Sequence, residues 1–395
     1  MIETLPAELE NMSVPSMFSP SSLGAAKGCG LRLAASSLAR TELLNRLPAG
    51  PEASVGQLVH RVLERAVKDS EGSAEELFDD EYGRVVAAIA SDTRRAHLTD
   101  LSSTKAPAQW ANLRAWVLSR VSAARHRVVT SRIGSKRRDR GGVEGAERSF
   151  ESTTLRLRGR ADLVRRIDQD VFEVRDYKSG GVLDGDGEVK REIALQLQAY
   201  GLLVLEREPR ATVRLIVDDG TDREVEFGPE AQAEAAEAIM AITTIMPLPA
   251  IVPVATLARP GDACWGCPIR HICSAYRGQA PEWWTRYPPE LSSAPLDVWG
   301  QVLEHRAGEG QVIVLRDGAN RRVRVTGVDS RHGLSDSVGK QLWFFGLEAT
   351  GASRGFDGTR FHPRSFHEQP RDALERRAWT TVVYAGPEVQ DSLKR

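Results

Sequence analysis

The cysteines constrain this chain more than any other feature. Cys29 stands alone near the start, and Cys264, Cys267 and Cys273 follow far downstream as Cys-x2-Cys-x5-Cys. Read as one ligand set, they make a metal the clasp between two distant stretches, and everything between must fold so that its ends meet. No cysteine is left over. Met1 to Glu10 has neither the basic run nor the apolar run of an export signal. A reducing, cytoplasmic setting is therefore expected, in which thiols serve as metal ligands sooner than as disulfides. Zinc accepts four thiolates and is commonly held by Cys-x2-Cys, so spacing alone leaves zinc and an iron–sulfur cluster both open.

The 395 residues have room for a large domain and a smaller one, and 41% hydrophobic with 27% charged residues suits a globular chain with a real core. No apolar run is long enough for a membrane span. The net charge of −1 leaves nucleic-acid binding open, because a basic face can be balanced elsewhere.

Residues 1–20, with three prolines, read as a flexible tail. Apolar residues at 55, 58, 59, 62, 63, 66 and 67 predict a helix with His60 and Glu64 on its flank. A helical region over 74–129 runs into the basic segment 125–140, which reads equally as a solvated loop or a phosphate track. Strands at 155–164 and 171–178, a helix at 188–206, a hairpin over 211–227 and a helix at 229–246 make a mixed α/β layer. Beyond the prolines at 288, 289 and 295, strands at 298–304, 310–316, 321–328, 340–348 and 377–384 predict a small all-β barrel of the oligonucleotide-binding (OB) type. Trp299, Trp343, Phe344, Phe345 and Trp379 lie on these strands as core residues or, alternatively, as platforms for bases. The expected boundaries are 1–20 for the tail, 21–285 for the α/β domain with the cysteines, and 290–395 for a nucleic-acid-binding or partner-binding barrel.

Asp176 and Lys178 are two apart on a strand and share a face. Asp162, on the strand expected to pair with it, reaches the same spot. Two carboxylates and an ammonium are what Mg²⁺- or Mn²⁺-dependent phosphodiester hydrolysis uses, since carboxylate oxygens suit those ions. Alone, such a triplet reads as a solvated strand face.

It is not alone. Gly56 to His60, Gly159 with Asp162, Asp176-Tyr177-Lys178-Ser179-Gly180, and Gln196 with Tyr200 resemble a known set in order and rough spacing. These are the Gly-x3-His, Gly-x2-Asp, Asp-Tyr-Lys-Thr/Ser-Gly and Gln-x3-Tyr motifs of the RecB/AddB-like branch of the PD-(D/E)xK nucleases. The resemblance spans about residues 20–280. It implies a restriction-endonuclease-like α/β core with a helical insert. It further implies that His60, Asp162, Asp176 and the carbonyl of Tyr177 hold Mg²⁺ or Mn²⁺, that Lys178 is the catalytic lysine, and that Gln196 and Tyr200 complete the catalytic site and contact nucleic acid. Members of that branch, including AddB nuclease domains and the iron–sulfur nucleases of CRISPR adaptation, carry a four-cysteine [4Fe–4S] cluster. By that likeness Cys29, Cys264, Cys267 and Cys273 hold a structural cluster, although the chain reads Gly30-Leu31-Arg32-Leu33 where the family has proline and an aromatic.

The expected protein is thus a metal-dependent DNA nuclease, an exonuclease on DNA ends or single strands, in repair, recombination or phage defence. Its expected partners are DNA and a helicase or defence complex, with no membrane. A non-catalytic DNA-binding or helicase-partner scaffold is the alternative. Gly333 to Lys340 lacks the spacing of a phosphate-binding loop, so no ATP motor is expected.

Overall fold

The computed structural model describes residues 2–24, 26, 28–38, 42–43, 45–68, 72–92, 99–104, 106–134, 143–264, 267–286, 296–308, 311–318, 320, 322–349, 365–367 and 381–386. The elements begin with β1 (Glu3–Thr4), β2 (Asn11–Ser13), α1 (Pro20–Leu23), α2 (Gly30–Ser37), α3 (Pro51–Lys68), α4 (Ala74–Ala90) and α5 (Pro107–Gly134). Next come β3 (Gly145–Ser152), β4 (Leu157–Asp168), β5 (Val171–Tyr177), α6 (Arg191–Arg207), β6 (Thr212–Asp218), β7 (Asp222–Val225) and α7 (Pro229–Thr244). The chain continues through β8 (Ile251–Pro253), α8 (Val254–Leu257), α9 (Ser274–Arg286), β9 (Leu296–Arg306) and β10 (Gln311–Arg316). It closes with β11 (Arg322–Val328), β12 (Gln341–Ala349), β13 (Ser365–His367) and β14 (Val382–Ala385). No described helix is long and apolar enough to cross a membrane.

The chain divides into two compact units. The larger holds Ser13–Ala39 and Pro51–Ile251; the smaller holds Met1–Met12, Arg40–Gly50 and Val252–Arg395. The units interleave, so the three-cysteine run belongs to the smaller unit and Cys29 to the larger.

The larger unit is built on a five-stranded sheet in the order β3-β4-β5-β6-β7, antiparallel except for β5 and β6. A parallel pair needs a crossover, and α6 supplies it. In α3 the expected stripe is the buried one: Val55, Leu58, Val59, Val62, Leu63 and Ala66 are all inside. α4 starts on a capping box, in which Ser73 Oγ accepts from the Glu76 amide while Glu76 accepts from the Ser73 amide.

β5 is the central strand, and its two faces carry different chemistry. On one, Arg175 donates to Glu173 at 3.0 Å, to Asp218 at 2.8 Å and to Asp222 through both terminal nitrogens. Arg165 grips Glu173 from β4 with two bonds of 2.7 and 2.8 Å. From α5, Arg120 and the Trp116 indole both reach Asp218. This network fastens α5 to the sheet. Phe172, Val174 and Asp176 occupy the opposite face.

Strand β3 was not anticipated; its sequence, Gly-Ala-Glu-Arg-Ser-Phe-Glu-Ser, is too polar to signal a strand. It lies at the end of the sheet, where only Phe150 and Ser152 of its eight residues are buried.

In the smaller unit seven strands run in the order β1-β14-β12-β13-β11-β10-β9, with a further pairing between β12 and β9. Gly300 sits where β9 passes from β12 to β10, so close to the Arg316 carbonyl that a side chain has no room. The expected flexible tail is a correction. β1 pairs with β14, the Leu9 amide donates to the Ile272 carbonyl, and Arg277 pairs with Glu8 at 3.1 Å, so described residues of 2–12 are tied down. Their strand pairing was hidden because each partner lies at the far end of the sequence. The last expected strand is met only by β14, and β13, too short to leave a pattern, precedes it.

Trp299, Trp343, Phe344 and Phe345 of this unit are interior. Trp299 and Trp343 stack at 4.3 Å between ring centroids, and both are buried with Phe344 and Phe345. Base stacking by these four is therefore set aside, because no ring face is open to a ligand. Trp379 and residues 135–140 of the basic segment lie outside the described residues.

Candidate active site

β4, β5, α3 and α6 bring the sequence-derived residues of the larger unit together. Alternation along β5 puts Asp176 on the face turned away from Arg175, and Lys178 follows two residues later on the same side. The Lys178 ammonium lies 2.8 Å from Asp176 Oδ2 and donates to Gln196 Oε1 at 3.3 Å. Gln196, from α6, donates its amide to Asp176 Oδ1 at 3.0 Å. Asp162 Oδ2 accepts the Tyr177 amide at 2.8 Å, which locks β4 against the end of β5. Its Oδ1 faces His60 Nδ1 of α3 at 3.3 Å.

Tyr200 differs from the rest. It is buried, and its hydroxyl is spent on the Arg160 carbonyl at 2.7 Å, so it braces β4 from below. Gly159 makes this possible. A Cβ there would come within 2.6 Å of Pro20 Cδ and 2.9 Å of the Tyr200 hydroxyl.

Glu147 of β3 was missed by sequence reading. It stands between Ala146, opposite Leu163, and Arg148, opposite Ala161, and hence beside Asp162. His60, Glu147 and Asp162 offer ligand atoms that all lie within 4.8 Å of one another. Glu147 also pairs with Arg160 at 3.0 Å and adopts a positive φ of 51°. No motif marks it, and finding it required knowing that 145–152 is a strand beside β4.

Electrostatically the centre holds more negative charge than its partners offset. Burial pushes the Asp176 carboxyl up to about 6; Lys178 opposes the shift and Asp162 adds to it. Burial raises Glu147 as well, helped by Asp162 and resisted by Arg160. For His60, burial works downward, but the Asp162 and Asp176 carboxylates outweigh it and hold the imidazole above its ordinary value. Tyr200 is raised by burial and then by the same carboxylates. Asp176 Oδ2 is buried and, although close to the ammonium, makes no well-directed hydrogen bond. A buried carboxylate oxygen left short of donors, beside a second carboxylate and an imidazole, fits a divalent cation held by oxygen and nitrogen.

The four cysteines are buried and none is in a disulfide. In the smaller unit the Cys264–Cys273 run is fixed from outside. Arg270, between the last two cysteines, donates to Asp297 of β9 at 2.7 and 3.2 Å. Asp297 also accepts from the Tyr276 hydroxyl at 2.5 Å and from the Gly346 amide at 2.7 Å.

The PD-(D/E)XK nuclease superfamily model matches residues 17–274, a span that holds every residue of this centre and all four cysteines. No curated protein matches the chain. A solved structure described as "Crystal structure of SSO0001" is 16% identical, covering 49% of this chain and 97% of its own, with a TM-score of 0.23, too low to bear on the fold. With well over half of its length matched, the chain belongs to the PD-(D/E)XK nuclease superfamily.

Proposed function

We propose that the protein is a Mg²⁺- or Mn²⁺-dependent deoxyribonuclease whose metal is held by His60, Asp162, Asp176 and the Tyr177 carbonyl, with Glu147 as a further ligand. The superfamily hydrolyses phosphodiester bonds with divalent metals. The observation that carries the reading is the Asp176 carboxylate, buried and 2.8 Å from the Lys178 ammonium, with His60, Glu147 and Asp162 clustered beside it. The cation, when bound, polarises the scissile phosphate and makes a water nucleophilic near neutral pH. Lys178 orients the attacking water and offsets charge at the phosphate. Gln196 holds the ammonium and Asp176 in one plane of contact, and Tyr200 keeps β4, and so Asp162, in place. Activity on DNA ends or single strands, a role in repair, recombination or phage defence beside a helicase or defence complex, and a cytoplasmic setting follow by family analogy.

Cys29, Cys264, Cys267 and Cys273 are proposed to hold a structural [4Fe–4S] cluster. Its support is four buried thiols outside any disulfide, with Arg270 placed between two of them. Anaerobically purified protein should be brown and contain iron and sulfide, and Cys267→Ala should be colourless; zinc in place of iron overturns the assignment. The C-terminal strands are proposed to be OB-like, since β9, β10, β11, β13 and β12 pair in turn, β11 with β13 in parallel, and β12 again with β9.

The nuclease reading is tested with end-labelled single- and double-stranded DNA in Mg²⁺, Mn²⁺ or EDTA, beside Lys178→Ala. Cleavage that needs metal and falls by about 10²–10³-fold in the variant is expected. Tight binding without cleavage under either metal would replace the enzyme with a DNA-binding scaffold.

A further inference from the structure

The family match ends at residue 274, and the strands beyond it carry a surface that the nuclease centre does not use. β9, β10 and β11 lie side by side, and their register sets side chains into rungs. Gln301, Arg316 and Arg322 face one another on neighbouring strands, as do Glu304, Val314 and Arg324, and as do Arg306 and Val312. Arg306, Arg316, Arg322 and Arg324 are all exposed, whereas Ile313, Leu315, Val323 and Val325, which alternate with them, are buried. Four guanidinium groups therefore share one face.

Little on that face neutralises them. These three strands contain two carboxylates. Asp297 is fully buried and committed to Arg270, which leaves Glu304 to pair with both Arg306 and Arg322. Arg316 reaches the Gln301 amide oxygen at 2.8 Å, and Arg324 has no carboxylate partner among the described residues. Arg316 and Arg322 stand directly opposite each other, an arrangement that destabilises a sheet. Surface arginines also keep sheet edges from pairing with other chains. That purpose calls for charge on an edge strand, whereas β10 lies between β9 and β11, and β11 between β10 and β13. With a net charge of −1, the chain has no overall cationic excess to explain the concentration.

We propose that the exposed Arg306, Arg316, Arg322 and Arg324 face of β9–β11 is a docking track for the phosphate backbone of a single DNA strand. The choice of DNA as the polyanion rests on the nuclease reading. The backbone positions that carry them are about 7 Å apart along a strand and about 5 Å apart between neighbouring strands. The face thus presents several phosphate-matching forks to one extended backbone. Because the described rings of Trp299, Trp343, Phe344 and Phe345 are buried and offer no base platform, the track holds phosphates. Binding should be indifferent to sequence and steeply dependent on salt.

The test is the affinity of the full-length protein for a fluorescent single-stranded oligodeoxynucleotide, measured by anisotropy in EDTA over a series of salt concentrations. Arg316→Ala, Arg322→Ala and Arg324→Ala combined should weaken binding at least tenfold. The combination should also make the slope of log K against log salt shallower by about 2, that is, about 0.7 for each lost phosphate contact. The corresponding triple lysine variant should keep most of the slope. Arg84→Ala, Arg114→Ala and Arg214→Ala combined, which remove as much charge elsewhere, should leave it unchanged. An alanine variant that is folded by circular dichroism and binds with wild-type affinity and slope overturns the proposal. Wild-type protein that binds no DNA at all would instead count against the nuclease reading, so the two failures are distinguishable.

Discussion

The two faces of β5 hold similar residues in opposite circumstances. On one, Glu173 and Arg175 sit in a network in which each charge meets at least one opposite charge, and Asp218 and Asp222 are shared between Arg175 and Arg120. Burial alone would raise Glu173, but hydrogen bonds from Arg165 and Arg175 overcome it and hold the carboxyl below its ordinary value. One residue further along, burial and then the neighbouring Asp162 carboxylate push Asp176 up to about 6, against the opposing pull of Lys178 and His60. Both carboxyls are buried, yet their shifts run in opposite directions, Glu173 with two arginines bonded to it and Asp176 more deeply desolvated beside Asp162. A charge that is fully matched fastens elements together, and a charge left under-matched is poised for something that arrives from outside.

The largest expected effect would break the structural face. Arg175→Met should cost about 3–5 kcal/mol of stability in denaturant titrations, because it leaves buried Glu173 and Asp218 facing fewer cations. Asp176→Asn, one position away, should abolish cleavage yet leave the denaturation midpoint unchanged or higher, since it removes a carboxylate that the fold disfavours in its ionised form. Equal destabilisation by both substitutions would erase the contrast between the faces.

Lys178→Ala should lower cleavage by about 10²–10³-fold, the usual scale for one group that stabilises transition-state charge, with the fold intact by circular dichroism. Gly159→Ala should cost about 1–3 kcal/mol, because the added methyl displaces Pro20 or the Tyr200 hydroxyl. It should also lower kcat through Asp162, and so report how far the active face depends on bracing from behind.

The smallest effect concerns pH. Glu173 and Asp222 have depressed folded values, Asp222 chiefly through its bond from Arg175. Their contribution is therefore present above the unfolded carboxylate value of about 4 and is lost as pH falls through the lower folded values. The stability gap between wild type and Arg175→Met should hold from neutrality down to about pH 5 and narrow below about pH 4. A gap independent of pH would mean that the network acts by packing alone.

How much of this was legible depended on whether chemistry and periodicity coincided. Asp162, Asp176 and Lys178 were readable from strand alternation, and His60 and Gln196 only through the family resemblance; the structure brings the five together. Tyr200 was readable as a position, but not as a buried brace whose hydroxyl is occupied. Glu147 was invisible because β3 has no apolar alternation and its nearness to Asp162 is a matter of register. The aromatics near the C-terminus were visible as residues, but which way they face is decided by the sheet. The arginine rungs likewise come from three strands whose register no single segment encodes. The N-terminal strand could not be read at all, since its partner, β14, is nearly the whole chain away.

The central claim is that the under-matched face of β5 is a divalent-metal centre. Its most direct test is Mn²⁺ binding, followed by electron paramagnetic resonance or calorimetry, in wild type, Asp162→Asn and Lys178→Ala. Wild type and Lys178→Ala should bind the ion, and Asp162→Asn should lose at least tenfold in affinity. Undiminished Mn²⁺ affinity in a folded Asp162→Asn protein would contradict that claim.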